Sequence, residues 1–165
     1  MTVSAKVSKL MTEGKVKTAI RTAKLINGIL FFIGVIGSII LLSFTDGIIS
    51  CLVSEDQVDA KEYIKKLIYV FSITCPITTL HNGVLSFARS IGQQNKIFIM
   101  SLFSNYVVHF GIAFLLIYAF KLDCMSMWIG FTAGLLVFSV GGLILCSYFV
   151  DWETESRKIQ KSVID

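Results

Sequence analysis

Charge is what this 165-residue chain has least of. Only 16% of its residues are Asp, Glu, Lys or Arg, against about 25% in a soluble domain. It has a single proline, Pro76, and only two histidines. No C-x-x-C occurs, and no His/Cys spacing suits zinc, so no metal site is expected. A Ser/His/Asp arrangement, a phosphate-cradling glycine loop and paired carboxylates are also missing, which argues against an enzyme. No basic stripe interleaved with aromatics stands outside the apolar runs, so the net charge of +4 is no sign of a nucleic-acid surface.

Apolar residues are abundant: 55% of the chain is hydrophobic and the mean hydropathy is +0.76. Four stretches contain no Asp, Glu, Lys or Arg: Leu25–Phe44, Leu67–Phe87, Ile97–Phe120 and Met125–Val150. Each reaches the roughly 20 residues needed to cross a ~30 Å hydrocarbon layer at ~1.5 Å per residue. Backbone amides in lipid must bond within their own segment, so each stretch is expected to be a helix. The fold class is therefore all-α: a polytopic integral membrane protein with four transmembrane helices. The expected organisation is a basic segment (1–24), a four-helix membrane domain (25–150) and a charged tail (151–165). The first stretch does not read as a cleaved signal peptide, because it is too long and no A-x-A pattern follows it.

Orientation follows from the basic residues. Lys6, Lys9, Lys15, Lys17, Arg21 and Lys24 precede the first span against only Glu13. The next loop is acidic (Asp46, Glu55, Asp56, Asp59, Glu62), with Lys61, Lys65 and Lys66 as partial offset. Arg89 and Lys96 flank the turn after the second span, Lys121 and Asp123 lie after the third, and Arg157, Lys158 and Lys161 follow the fourth. The positive-inside rule then places both termini and the Arg89–Lys96 turn in the cytoplasm. Trp152, at the end of the last span, is expected at headgroup level.

The titratable side chains inside the spans are His81 and His109 together with tyrosines and cysteines; Asn27, Asn82, Asn105 and Tyr106 are the histidines' polar company. Imidazole can exchange a proton near neutral pH, and polar groups inside a membrane mark pathways. His81 follows Pro76, whose ring removes a backbone bond and exposes a carbonyl nearby. Asn105 and His109, four apart, share a helix face with Tyr106 adjacent. These residues can line a cleft, or they can serve as polar glue between helices. Gly130 and Gly134 form G-x-x-x-G, expected to pack the last helix within the bundle, with a homodimer face as the alternative. Gly28, Gly34, Gly37 and Ser38 similarly crowd the first span. Cys51 and Cys124 fall near the non-cytoplasmic ends, where a disulfide is permitted, while Cys75 and Cys146 read as small apolar residues. The leading segment spaces Val3, Val7, Leu10, Met11 and Val16 as one helical face, the pattern of a surface helix.

Several stretches resemble a known family. "VDWETESRK" (150–158) resembles the "DWekeA" ending of the last helix of MATE transporters, the multidrug and toxic compound extrusion family. "SMWIG" (126–130) is similar to the "GLWiG" that opens that helix, and "NGVLSFARSIGQQ" (82–94) to the end of a helix and its cytoplasmic turn. "VSEDQVDAKEYIKKLIYVFSITCP" (53–76) resembles the segment leading into that helix. "SAKVSKLMTEGKVKTA" (4–19) resembles "StRVsNeLGAGnpkaA" in register without a gap, which favours reading it as the end of a preceding helix and its loop. Together these matches span nearly all of the chain in the family's order.

The resemblance implies helices nine to twelve of twelve, part of the carboxy-terminal lobe, with the chain beginning inside the loop after the eighth. A complete member exports organic cations and xenobiotics in exchange for protons or sodium, with no other cofactor. It does so by rocking two lobes about a shared site, so four helices of one lobe are not expected to transport alone. Thr79 stands where many members carry a cation-binding acid, Ser90 where the family has a glycine, and His109 and Gly111 where it has glycine and proline. Only Gly14 of the "LGAG" turn is kept. The implied partners are the lipid bilayer, small organic cations once the carrier is complete, and a second membrane chain or a second copy. Two alternatives remain beside this one. One is a small four-helix carrier acting as a dimer, which the missing intramembrane acid disfavours; the other is a non-transporting membrane protein or a lobe needing a separate partner chain.

Overall fold

The computed structural model describes residues 3–54, 57–121 and 124–164. Glu55, Asp56, Asp123 and the Lys161 side chain, part of the charge reading above, lie outside the described residues. The described chain runs α1 (Val3–Thr12), α2 (Val16–Ser43), α3 (Thr45–Leu52), α4 (Val58–Ser90) and α5 (Gln94–Leu102), then a π-helical stretch (Phe103–His109), α6 (Phe110–Phe120), α7 (Met125–Ile144), a π-helical turn (Leu145–Phe149) and α8 (Trp152–Ile164). Four helical segments are long and apolar enough to cross a membrane: Val16–Ser43, Val58–Ser90, Gln94–Phe120 and Met125–Tyr148.

Two of the spans begin well before their apolar stretches. Helix α2 begins at Val16 because Ala19, Ala23, Asn27 and Gly34 continue one buried face back from the membrane toward α1. Helix α4 begins at Val58, and in its first polar turns Asp59, Glu62, Lys65 and Lys66 are exposed. Large side chains such as Phe32, Ile36, Phe114 and Leu115 are more than half exposed, the arrangement expected when lipid rather than water is the solvent. The integral membrane class is thus expressed in the packing: small residues such as Gly34, Gly130 and Gly134 face neighbouring helices, and many bulky ones face outward.

Helix α2 packs mainly on α4. Helix α7 lies between α4 on one side and the π stretch with α6 on the other. The continuous apolar core, however, gathers at one end of the bundle. Val7 and Met11 of α1, Ala19 and Ala23 of α2, Val84, Phe87, Ala88 and Ile91 around the end of α4, Ile97 of α5, Phe138 and Cys146 of the last span, and Val150 and Trp152 form one cluster.

Two left-handed glycines shape this end. Gly14 (φ 72°) and Gly92 (φ 73°) follow α1 and α4. After α1, Gly14 N–H donates to Met11 O (3.1 Å) and Lys15 N–H to Leu10 O (2.9 Å). After α4, Gly92 N–H donates to Arg89 O (3.2 Å) and Gln93 N–H to Ala88 O (3.0 Å). Both are Schellman turns, in which a residue without Cβ takes the left-handed position and satisfies the last carbonyls. Ser90 is accommodated because it is still within the helix, where its hydroxyl donates to Phe87 O (2.6 Å); Gly92 alone takes the unusual φ.

The chain end is built from the same logic. Asp151 starts α8: its Oδ1 accepts the N–H groups of Glu153 (3.2 Å) and Thr154 (3.3 Å), and its Oδ2 the Thr154 hydroxyl (2.7 Å). These bonds from Thr154 hold the Asp151 carboxyl below its ordinary pKa of 3.8, with smaller contributions from Glu153 and Arg157. A depressed carboxyl contributes above its ordinary pKa and loses that contribution as pH falls through the lowered value, so the cap is complete at neutral pH. Trp152 is 9% exposed, lies tilted against Phe87 (ring centroids 5.1 Å apart) and donates its indole N–H to Cys146 O (3.0 Å). The indole therefore closes the last span from inside the protein: the π-helical turn ending at Phe149 leaves a carbonyl that a ring N–H can reach. Ser156 Oγ and Gln160 Nε2 then donate to Met11 O (2.7 Å) and Thr12 O (3.1 Å), the last carbonyls of α1.

Candidate functional site

Pro76 has no N–H to offer Ser72 O four residues earlier, and that carbonyl must be bonded in a membrane. Ser38 of α2 supplies the donor, with Gly34 O as a second acceptor (3.1 Å). The carbonyl expected to lie open near His81 is therefore taken by a neighbouring helix. Gly34 makes this approach feasible, since a Cβ there would run into Thr79 Oγ1 and the Pro76 backbone. Thr79, half-buried, donates to Pro76 O (3.0 Å) and faces α2.

The other singled-out residues face elsewhere. His81 lies against α7, its ring 4.3 Å from that of Phe138, and its buried Nδ1 has no partner among the described residues. Asn82 is exposed on α4. Asn105 turns back along its own helix to donate to Ser101 Oγ (3.1 Å). Tyr106 is 65% exposed, with its ring near Phe110 (6.2 Å). His109 stacks on Phe110 (4.7 Å) and meets Phe131 of α7 edge-on (5.8 Å), and its buried Nε2 likewise has no described partner. The six side chains do not converge on one point. The two imidazoles come nearest to a common site: both rest on α7, against Phe131 and Phe138, seven residues or about 10 Å apart along the axis.

Gly130 and Gly134 make room for this arrangement. A Cβ at Gly130 would stand 2.5 Å from His109 O and 3.1 Å from Ala113 Cβ; at Gly134 it would stand 2.9 Å from Ser104 O and 3.3 Å from His109 Cβ. The stripe is thus occupied by the π stretch and α6 of the same chain. On its other side α7 is tied to α4 by the Thr74 and Thr132 hydroxyls, 2.6 Å apart. Gly28, by contrast, faces open space.

Two buried polar groups add to the set. Ser104, fully buried in the π stretch, has a hydroxyl with no described partner. Asn27, 6% exposed, donates to Ala23 O (3.1 Å), while its unpaired Oδ1 lies where a Cβ of Gly83 would be. The sequence signal for Asn27 was a lone amide in an apolar run. Ser104 carried no signal, because a serine in a membrane helix ordinarily bonds its own backbone. A π-helical stretch often marks a functional position, and this one carries Ser104, Asn105, Tyr106 and His109 together. Among the described residues no three His, Cys, Asp or Glu side chains are grouped to hold a metal ion. Cys51 and Cys124 are exposed free thiols, and Cys75 and Cys146 are free as well.

With this geometry in view, the relatives are informative. Residues 1–115 match the profile of the MatE family. The chain is 28% identical over 109 residues to Protein DETOXIFICATION 14 of Arabidopsis thaliana, covering 66% of this chain and 22% of that protein. It is 27% identical over 137 residues to Protein DETOXIFICATION 24 of the same plant, covering 82% of this chain and 26% of that one. The chain therefore spans about a quarter of the length of the curated relatives it matches. The crystal structure of the eukaryotic MATE transporter AtDTX14 superposes with a TM-score of 0.85 at 24% identity, over 98% of this chain and 35% of that one, a likeness of fold.

Proposed function

The chain belongs to the MatE family, and from that premise we propose that it serves as part of one lobe of a secondary transporter, rather than as an enzyme, moving organic cations out against a coupling ion. The observation that carries this reading is the family match, which runs from α1 into α6. The ion coupled through this part of the carrier is a proton: the apolar stretches 25–44, 67–87, 97–120 and 125–150 hold no carboxylate to coordinate sodium, whereas His81 and His109 each present a buried ring nitrogen without a described partner. Asn82 and Tyr106, exposed on the bundle surface, face the remainder of the carrier and contribute to the substrate path; Thr79 and Asn105 hold their helices in place beside it. Both termini and the Arg89–Lys96 turn are cytoplasmic, in keeping with their lysines and arginines. The remaining helices come from a longer chain or a separate membrane partner, since one lobe has nothing to rock against.

A chimera tests this. The 165 residues replace the matching segment of Arabidopsis DETOXIFICATION 14, and efflux of a fluorescent organic cation is followed in vesicles beside the chain expressed alone. Efflux by the chimera, with none above background from the lone chain, is the expected result. Efflux by the lone chain, or a membrane-inserted chimera that carries nothing, overturns the proposal.

A further inference from the structure

The basic residues of the leading segment are not all accounted for by topology. Val7 and Met11, the apolar face of α1, are fully buried within the protein core. Helix α1 therefore does not lie on a bilayer by inserting that face, as the sequence pattern alone suggested. A groove of about 250 Å³ runs between α1 and α2 instead, lined by Lys6, Thr18, Arg21, Thr22, Leu25 and Ile26. It has room for about eight waters at ~30 Å³ each, enough for a phosphate group and its neighbours.

Its lining changes character along one face of α2. Thr18, Arg21, Thr22 and Leu25 follow the helical spacing, so hydroxyls and a guanidinium give way within two turns to an exposed leucine at the start of the apolar span. From Thr18 to Leu25 the rise is about 10 Å, comparable with the ~5–8 Å polar layer of one leaflet plus the first carbons below it. Lys6 enters from α1. No carboxylate lines the groove, and neither Lys6 nor Arg21 has an ion-pair partner among the described residues. The neighbouring cavity beyond Thr18 is larger, but Glu153 lines it and its Lys15 is already paired with Glu13 at 2.8 Å.

We propose that the groove between α1 and α2 binds the phosphate of an anionic phospholipid, held by Lys6, Arg21, Thr18 and Thr22, with its acyl chain on Leu25 and Ile26. Arginine pairs with phosphate through two parallel N–H bonds and lysine adds a point charge. A zwitterionic headgroup would bring its ammonium to a groove with no anion, so the site selects for net negative charge.

The test uses the full chain in nonionic detergent, titrated with phosphatidylglycerol or phosphatidylcholine, with retained lipid read by native mass spectrometry and the thermal midpoint by tryptophan fluorescence. Phosphatidylglycerol should be retained and raise the midpoint, and phosphatidylcholine should do neither. Lys6→Gln with Arg21→Gln should weaken phosphatidylglycerol binding about twenty-five-fold, at about fivefold per cation, with the lipid-free midpoint unchanged. Leu25→Asn should weaken lipid binding as well. Equal retention of phosphatidylcholine, or undiminished phosphatidylglycerol binding by the double variant, overturns the proposal. Inorganic phosphate is the second arm: if millimolar phosphate gives the same stabilisation and displaces the lipid, the site reads free phosphate and the lipid assignment falls. Should the double variant fold poorly, wild-type binding must still weaken as salt rises from 50 to 300 mM, and indifference to salt is equally fatal.

Discussion

At Ser72 a single carbonyl, freed by Pro76 four residues later, is met by the hydroxyl of Ser38 on another helix, and Gly34 is the small residue that brings the two backbones close enough. The proline, the glycine and the serine were each visible in the sequence, but their joint purpose was not, because periodicity says nothing about which helix stands opposite. The histidines carry a different lesson. A buried nitrogen without a partner costs about 1–3 kcal/mol, so an imidazole kept for packing alone is better replaced by an apolar ring. His81→Phe, which preserves the ring contact with Phe138, should leave the thermal midpoint of the chain unchanged or raised. In the transporting chimera the same change should lower proton-driven efflux at least tenfold. A fall in stability with efflux unaltered would make His81 a packing residue.

Among elements, the turns and the π-helical stretch set the geometry. Gly92 sits in a left-handed turn with open space where its Cβ would go, so its role is conformational alone. Gly92→Ala should therefore cost about 1–2 kcal/mol, the penalty for an L-residue in that region, and Gly92→Asn should recover part of it. Thermal melts of the two variants check this, and equal stability of alanine and wild type would refute it. The G-x-x-x-G at 130–134 pointed correctly to close helix approach, yet only the packing names the other wall as Ser104, His109 and Ala113. The π-helical character of 103–109 left no trace in the apolar pattern, since one wider turn does not alter which residues are apolar.

For the whole molecule, the largest connected core joins the two ends of the chain. Ser156 and Gln160 of α8 bond the last carbonyls of α1, and Trp152 lies on Phe87 beneath them. Trp152→Ala should cost about 3–5 kcal/mol, as for other large buried aromatics, and should release α8 and α1 together. Hydrogen exchange tests the coupling: protection in 5–12 should fall along with that in 153–160. Loss confined to α8 would show that α1 is held by α2 and α4 alone.

By itself the sequence determined that the chain is an all-α membrane protein with four spans, because lipid admits only internally bonded helices and the lengths of the apolar runs are unambiguous. It also carried the family likeness, in order and spacing. Tertiary structure alone decided that Thr79 faces α2 while His81 and His109 both lie on α7, and that Trp152 caps a helix from inside the protein. It also turned the apolar face of α1 inward and left Lys6 and Arg21 flanking a groove. The physical reason is common to all of these: composition and period fix which segments leave water, whereas the direction of each polar side chain depends on which neighbour offers a small residue, a free carbonyl or an unpaired charge.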